Sequence, residues 1–383
     1  MKALPAAPKA TNATMEGVYP TSSSSSETTF LEGNEALAYG ALRAGLNCFF
    51  GYPITPSTEV AETLAREFGN PDYPKFKVFL QASSEVEAVN MLLGATAAGA
   101  IAMTATSSPG LSLMQEGLSY GVGMELPFVV ADANRAGPGL GSLGPEQGDM
   151  WKAGRGGGHG DYRCIVLSPH TVTEMASLPA LAFQLAFKYR NPVVILYDSL
   201  LAKLKEVASL PSYESFSFDL SWTVGQQKPE ERRILNSLHL EAEQQESHEE
   251  GLQEKFRAIE SHEQRAEEYW TDDAEVILVA YGILARLAKK LVRKARAQGL
   301  KVGLVRPVTL WPPPSETCRK HAARKVAFLV VELNAGQLYQ DVRLVAQDRV
   351  EVAFVHRLGG SVPRLAEVEA AMQQLFSRRR GGQ

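Results

Sequence analysis

The sequence predicts an α/β protein with a parallel sheet, followed by a second, smaller α/β domain. Three observations carry this. Short apolar runs alternate with segments of helical periodicity, the pattern of βαβ units. Residues with chemical character cluster just beyond those runs, where open parallel sheets place their functional loops. The alternation then resumes after a strongly charged stretch. With 383 residues, 45% hydrophobic and 21% charged, the chain has length for two or three domains with sizeable cores.

The elements follow in order. GNEALAYGALRAG (Gly33–Gly45) reads as a helix stopped by its final glycine. NCFFGYPITP runs from strand into loop, and Val78, Phe79 and Leu80 make a strand with Glu85 just past its end. VEAVNMLLGATAAGA is helical, AIAMTATSSPG is strand then turn, SLMQEGLSYGVGM is helical, and LPFVVADANRAGPG is strand then loop. CIVLSP, a helix from Val172 to Lys188 and PVVILYDS complete the first series. From Gln226 to Tyr269 charge dominates, with Leu252, Phe256 and Ile259 keeping a narrow apolar seam, so a long, mostly exposed helix is expected there. AEVILVAYG, ILARLAKKLVRKARAQG, KVGLVRPVTL, VAFLVVELNAGQL and VEVAFVHRLGG form the second series. The expected division is a disordered extension over 1–30, an α/β domain over 31–205, a charged helical connector over 206–272 and the smaller α/β domain over 273–383.

Composition excludes several function classes. Lys plus Arg number 39 against 43 for Asp plus Glu, a formal charge of −4, so no basic face for nucleic acid is expected. No apolar run approaches the ~20 residues of a membrane span. Cys48, Cys164 and Cys318 stand far apart without a C-x-x-C pair, which argues against a disulfide framework, a zinc knuckle or a self-contained iron–sulfur site. The first thirty residues lack the apolar segment of a secretory signal. No metal site is expected on this chain, and the cytoplasm is the expected compartment.

Four segments have residues suited to chemistry. In GYPITPST (Gly51–Thr58), Pro53 and Pro56 stiffen a loop that presents Thr55 beyond a strand. The same residues equally suit a turn with a helix N-cap at Ser57 or Thr58. Glu85 either interacts with the dipole of the helix it opens or offers a partly buried carboxyl to a ligand, with Glu87 as its competitor. ANRAGPGLGSLG (Ala133–Gly144) contains G-x-G-x-G, but Pro138 and Pro145 interrupt it and no helix opens at once, so a dinucleotide fingerprint is not supported. Arg135 within it is an anion ligand or a surface residue. GRGGGHGD (Gly154–Asp161) permits close backbone approach. His159 there is an acid, a base or a loop residue, and a packed interface loop is expected.

GNEALAYGALRAG, FGYPITPSTEV, FLQASSEVEAVNMLLGA, MTATSSPGLSLMQEGLSY, ELPFVV, NRAGPGLG, KAGRGGGHGDYR, FKYRNPVVILYDSLL, LVAYG, GLVRPVTLWPPP and VVELNAGQLYQDV stand in this order. Together they resemble the alpha subunit of 2-oxoacid:ferredoxin oxidoreductases, from about Phe30 to the C-terminal region. GRGGGHGDYR and ELNAGQ bring the chain nearest the 2-oxoisovalerate (3-methyl-2-oxobutanoate) type. The 2-oxoglutarate type shares the YPITP loop and the glutamate, and a transketolase-like thiamine enzyme without ferredoxin is a further alternative.

The resemblance implies a thiamine diphosphate pyrimidine-binding domain followed by a transketolase C-terminal-like domain. It implies oxidative decarboxylation of a branched-chain 2-oxoacid with CoA to acyl-CoA and CO2, with electrons passing to ferredoxin. Thiamine diphosphate would be shared with a beta subunit that holds the diphosphate and Mg2+. Fe–S clusters would sit on partner subunits, with gamma and ferredoxin-like delta subunits completing the complex. The glutamic acid that hydrogen-bonds the pyrimidine N1′ would be Glu85, and the cofactor-binding loop would be Tyr52, Pro53, Ile54 and Thr55. Thr55 and Arg135 would meet the substrate carboxylate and the reacting carbonyl, with Arg135 steadying the anion. The chain has no G-D-G motif with a following metal-binding Asn and no four-cysteine cluster spacing, so activity is expected only in complex.

Overall fold

The computed structural model describes residues 27–213, 216–225 and 233–381. The first series contains β1 (Glu27–Glu32), α1 (Gly33–Arg43), β2 (Cys48–Gly51), α2 (Thr58–Glu67), β3 (Val78–Gln81), α3 (Glu85–Ala97) and β4 (Ala102–Ser107). It continues with α4 (Ser108–Leu113), α5 (Gln115–Gly123), β5 (Val129–Asn134), α6 (Met150–Gly154), β6 (Ile165–Leu167), α7 (Val172–Tyr189), β7 (Val193–Asp198), α8 (Ser199–Lys203) and β8 (Lys205–Leu210). Then come α9 (Ala242–His262), β9 (Ala266–Tyr269), β10 (Val276–Val279), α10 (Gly282–Ala297), β11 (Val302–Pro307) and β12 (Thr309–Trp311). The chain ends with α11 (Ser315–Ala323), β13 (Ala327–Glu332), α12 (Gln337–Ala346), β14 (Val352–His356) and α13 (Leu365–Gly381).

A seven-stranded sheet runs β12-β6-β7-β5-β4-β2-β3, and a five-stranded sheet runs β14-β13-β10-β11-β9. All pairings inside both sheets are parallel except the edge strands β12 and β9. Strands β4, β5, β7, β10, β11 and β13 are buried throughout, as expected when helices cover both faces of a sheet. Helix α10 buries Leu284, Ala288, Leu291 and Ala295 at helical spacing and turns its lysines and arginines outward. No helix among the described residues is long and apolar enough to cross a membrane.

The α/β class stands, while three boundaries differ from those expected. Residues 27–30, assigned to the extension, belong to β1, which pairs residue by residue with β8; residues 1–26 lie outside the described chain. The connector is less of a separate unit than its charge suggests. Its first residues form β8, and its last ones form β9, the antiparallel edge of the second sheet. Strand β12, from the second series, instead closes the edge of the first sheet beside β6. Pairing partners distant in sequence leave no local signal, so these short strands were not legible. Between them, α9 buries Leu252, Phe256 and Ile259, the expected seam.

The two sheets are joined by polar groups. Asp198, at the end of β7, accepts a hydrogen bond from Leu201 N at 2.9 Å and one from Ile283 N at 3.0 Å. One carboxylate thus caps α8 and the start of α10. Gln147 exchanges bonds with the backbone of Leu333 (2.9 and 3.0 Å) and donates to Tyr281 O at 3.1 Å. In ELNAGQ, Glu332 accepts from Leu338 N and Tyr339 N, while Gln337 reaches across to Trp151 N and Gly148 O. Fully buried Arg306 of β11 pairs with Glu174 of α7 at 2.9 Å and with Glu267 of β9 at 3.0 Å.

Two measurements test this packing. A Cβ at Gly40 of α1 would lie 2.0 Å from the Ala176 carbonyl of α7, whereas nothing lies within 4 Å of a Cβ at Gly94 of α3. Gly40→Ala is expected to destabilise by about 1–3 kcal/mol and Gly94→Ala to stabilise by about 0.5–1 kcal/mol, both read by denaturant unfolding. Burial alone would raise the Glu174 carboxyl, but hydrogen bonding to His170 and the Arg306 charge hold it at about 2, below its ordinary 4.5. The linked stability is therefore present above pH 4.5 and lost as pH falls toward about 2. Glu174→Gln is expected to cost about 3–5 kcal/mol at neutral pH, with the difference from wild type narrowing across that acid window.

Candidate active site

The loops beyond β2, β3, β4 and β5 lie side by side because these four strands are neighbours in the sheet. Parallel strands put all four loops on one edge, and they hold every residue expected of the site.

The loop after β2 is pinned from beneath. Asn34, fully buried in α1, donates to Pro56 O at 2.6 Å and to Glu59 at 2.8 Å, and receives the Tyr197 hydroxyl at 3.0 Å. Ser57 folds its hydroxyl back onto Ile54 O at 2.8 Å. Held this way, Tyr52, Pro53 and Thr55 are exposed and Ile54 is half-buried. Ser57 is the N-cap of α2, but its side chain makes no capping bond, so the loop is more than a capped turn.

At α3 the two readings of Glu85 separate. Ser84 is the N-cap and accepts from Glu87 N, while Glu87 accepts from both the backbone and the hydroxyl of Ser83. Capping is thus the work of Ser84 and Glu87. Glu85 is only 4% exposed, and among the described residues no group donates a hydrogen bond to its carboxyl. Its neighbour is Gly110 of α4, where a Cβ would fall 2.6 Å from Glu85 Oε1 and 2.0 Å from Thr106 Oγ1. Only glycine lets the Glu85 carboxyl and the Thr106 hydroxyl pack this closely on α4.

Arg135 follows β5 and donates from Nη1 to Thr55 O at 2.8 Å. The structure therefore brings Arg135 and the Thr55 loop together, through the Thr55 carbonyl rather than its hydroxyl. The Arg135 backbone is clamped by Ser108: Ser108 Oγ accepts from Arg135 N at 3.0 Å and donates to Arg135 O at 3.1 Å. Helix α4, with Ser108 at its start and Gly110 in its first turn, is the physical link between Arg135 and Glu85. Behind it, Asn134 bonds Ser108 Oγ at 2.7 Å and also Asp149, which pairs with Lys152 at 2.7 Å.

Asn34, Thr106, Ser108, Asn134, Asp149 and Lys152 were not singled out in the sequence. A signal existed for Asn134 and Asp132, polar residues inside the buried strand VVADAN. The G-x-G-x-G segment is a loop, returning at a bridge between Arg135 and Pro145, with Gly139 and Gly141 at positive φ. GRGGGHGD packs against its own chain: Gly157 N donates to Gln115 Oε1 at 2.8 Å, and His159 O accepts from Ser119 at 2.7 Å. His159 is exposed and rests edge-on against Tyr120, outside the Glu85 cluster.

Among the described residues no group of three or more His, Cys, Asp or Glu side chains is placed to hold a metal ion. The fold and site define a thiamine diphosphate-binding α/β chain: residues 39–275 match the family described as pyruvate flavodoxin/ferredoxin oxidoreductase, thiamine diphosphate-binding. Residues 274–368 match the pyruvate:ferredoxin oxidoreductase core domain II. Among relatives, the ketoisovalerate oxidoreductase subunit VorB of Methanothermobacter marburgensis is 44% identical, over 91% of this chain and 98% of that one. The 2-oxoglutarate synthase subunit KorA of Methanocaldococcus jannaschii is 36% identical, over 90% and 98%. The chain belongs to the 2-oxoacid:ferredoxin oxidoreductase family and is an oxidoreductase subunit of that type.

Among solved structures, the 2-oxoglutarate:ferredoxin oxidoreductase from Magnetococcus marinus superposes with a TM-score of 0.83 at 27% identity, covering 92% of this chain and 66% of that longer one. A split-gene transketolase, an inactive beta4 tetramer, shares the fold alone, at TM-score 0.52 and 15% identity.

The Gly110 cradle gives a test. In Gly110→Ala the new methyl overlaps Glu85 Oε1 and Thr106 Oγ1 and must displace the carboxyl. Thiamine diphosphate affinity of the assembled enzyme, measured by titration calorimetry, is expected to fall by roughly tenfold or more.

Proposed function

We propose that this chain is the alpha subunit holding the aminopyrimidine half of thiamine diphosphate in an assembly that oxidatively decarboxylates a branched-chain 2-oxoacid. The 2-oxoacid and CoA give acyl-CoA and CO2, and the electron pair released passes to ferredoxin. The observation that carries this reading is Glu85. It is buried, released from capping by Ser84 and Glu87, and packed against a glycine of α4 that a larger residue would push off the carboxyl. A buried carboxyl with no hydrogen-bond donor among the described residues suits a ring nitrogen to be hydrogen-bonded, so the residues fit the group. The branched-chain preference is supported by the similarity to a ketoisovalerate oxidoreductase subunit.

When bound, thiamine diphosphate supplies an acidic carbon that adds to the 2-oxo carbonyl and accepts the electrons left by departing CO2. Glu85 would hold the hydrogen bond at N1′ and move a proton there, and Tyr52, Pro53, Ile54 and Thr55 would flank the ring. Arg135, anchored on Thr55 O, would meet the substrate carboxylate and steady the carbonyl oxygen as charge develops.

The rest of the machinery belongs to partners in this reading. A beta subunit would hold the diphosphate with Mg2+, and Fe–S clusters would lie on other subunits, including gamma and ferredoxin-like delta chains. Tyr52, Leu80, Val86 and Leu113 expose apolar side chains on or near the site loops, the kind of surface that a subunit completing the site would cover. The pyrimidine-side domain would run from β1 to α8 and the subunit-contact domain from β9 onward. The cytoplasm is the compartment proposed.

Glu85→Gln tests the assignment. The amide keeps the shape but cannot relay a proton, so proton exchange at C2 of the bound cofactor, followed by NMR in the assembled complex, should slow by about 10²–10⁴-fold. Glu87→Gln, altering a carboxylate that serves the helix start, should exchange at the wild-type rate. A wild-type rate in Glu85→Gln, or slowing only in Glu87→Gln, would show the wrong carboxyl has been chosen.

A further inference from the structure

Asp132 stands inside β5, in the middle of the larger sheet, and is fully buried. Neither of its carboxyl oxygens meets a hydrogen-bond donor. A bare carboxylate in that position would be strongly disfavoured. Asn134, two residues on and therefore on the same face of β5, is bonded to Asp149, and Asp149 is the charge that acts most strongly on Asp132. Asp149 already accepts the Asn134 amide on one oxygen and the Lys152 ammonium on the other, the latter at 2.7 Å.

Lys152 supplies a facing positive charge. Glu146 lies near Asp149 and Lys152, and burial raises its own carboxyl. Tyr197 and Tyr281, around the pair, are pushed well above the usual phenol range by burial first and then by neighbouring carboxyls, so they stay neutral. One ammonium balances one carboxylate. Burial, and then the Asp149 charge, push the Asp132 carboxyl well above the usual range, in agreement with that balance.

The pair leads to the site by short steps. Asn134, held by Asp149, donates to Ser108 Oγ at 2.7 Å. Lys152 donates to Ser108 O at 2.9 Å and to Ser112 Oγ at 3.1 Å. Ser108 in turn clamps Arg135 N and O, and the Arg135 side chain has its Thr55 contact as a fixed point while Nε has no partner. The aim of the guanidinium therefore depends on a backbone held by this network.

We propose that Asp132 is a positioning residue that acts as a neutral acid: its O–H donates to Asp149, and the Asp132–Asp149–Lys152 cluster holds Asn134 and Ser108 so that Arg135 faces the substrate carboxylate. The proposal rests on Arg135 being the carboxylate ligand. Loss of the Asp132 proton would set a second carboxylate against Asp149 with one ammonium to balance both. Substrate capture should then weaken on the alkaline side, while chemistry on substrate already bound is less affected.

The test uses the assembled complex with D132N, D132L and D149N, assayed by 2-oxoacid-dependent viologen reduction across pH. D132L and D149N are expected to raise the 2-oxoacid KM by roughly tenfold to a hundredfold, with kcat changed far less. D132N, whose amide N–H donates in place of the acid, should rescue KM relative to D132L and lose the alkaline limb of the kcat/KM profile. Infrared spectroscopy of the wild-type complex should show a buried carboxylic-acid C=O band that is missing from D132N, whether or not the complex turns over. Equal KM defects in D132N and D132L, or no lost band, would overturn the proposal. Should D132L fail to fold, D132N and the infrared band still decide. A wild-type complex that shows the band but reduces no viologen with any 2-oxoacid would overturn the functional reading instead.

Discussion

The site depends on a single hydroxyl. Ser108 Oγ takes one hydrogen bond from Asn134 and one from Arg135 N, and gives its own to Arg135 O. Those bonds tie the turn after β4 to the turn after β5, and α4 carries the constraint on to Gly110 and Glu85. A hydroxyl has one proton to donate and two lone pairs to accept with, so Ser108 is fully used. Ser107 adds a parallel bond to Ala133 O at 2.8 Å. The turns after β4 and β5 are thereby fixed to one another, the fixed geometry that the proposed site needs.

The joint between the two sheets serves the same end. Gln147, Gly148 and Trp151 lie just beyond the Arg135 loop and are bonded to the backbone at Tyr281 and Leu333 and to the Gln337 side chain. The tip of that loop meets the second domain as well, where Gly144 and Gly360 approach too closely for a Cβ on either. ELNAGQ, one of the segments that marked the family resemblance, is thus an interdomain clasp that holds the far end of the Arg135 loop. Its Glu332 is raised to about 7 by burial, against the opposing backbone bonds of Leu338 and Tyr339.

Much of the proposed site's placement was legible in the sequence, for reasons that differ by residue. Thr55, Glu85 and Arg135 each follow a strand-like apolar run, and parallel strands deliver such positions to one edge. What sequence spacing left open was which carboxylate near α3 does the capping. Ser83 and Ser84 settle it by engaging Glu87 and leaving Glu85 unbonded. GRGGGHGD was expected as a packed interface loop; among the described residues Gly157 and Gly158 lie against Gln115 of the chain's own α5.

By itself the sequence determined the α/β class, the two series of βα units, the buried seam of α9 and the strand ends at which the proposed site residues stand. These follow from periodicity and from turn residues, which act over a few positions. Only the tertiary structure decided that β1 pairs with β8, that β9 and β12 close the edges of sheets, and that Asn134 meets both Ser108 and Asp149. Each of these joins residues far apart in the chain or in different elements, and their energy comes from hydrogen bonds and charges that exist only once both partners are buried together.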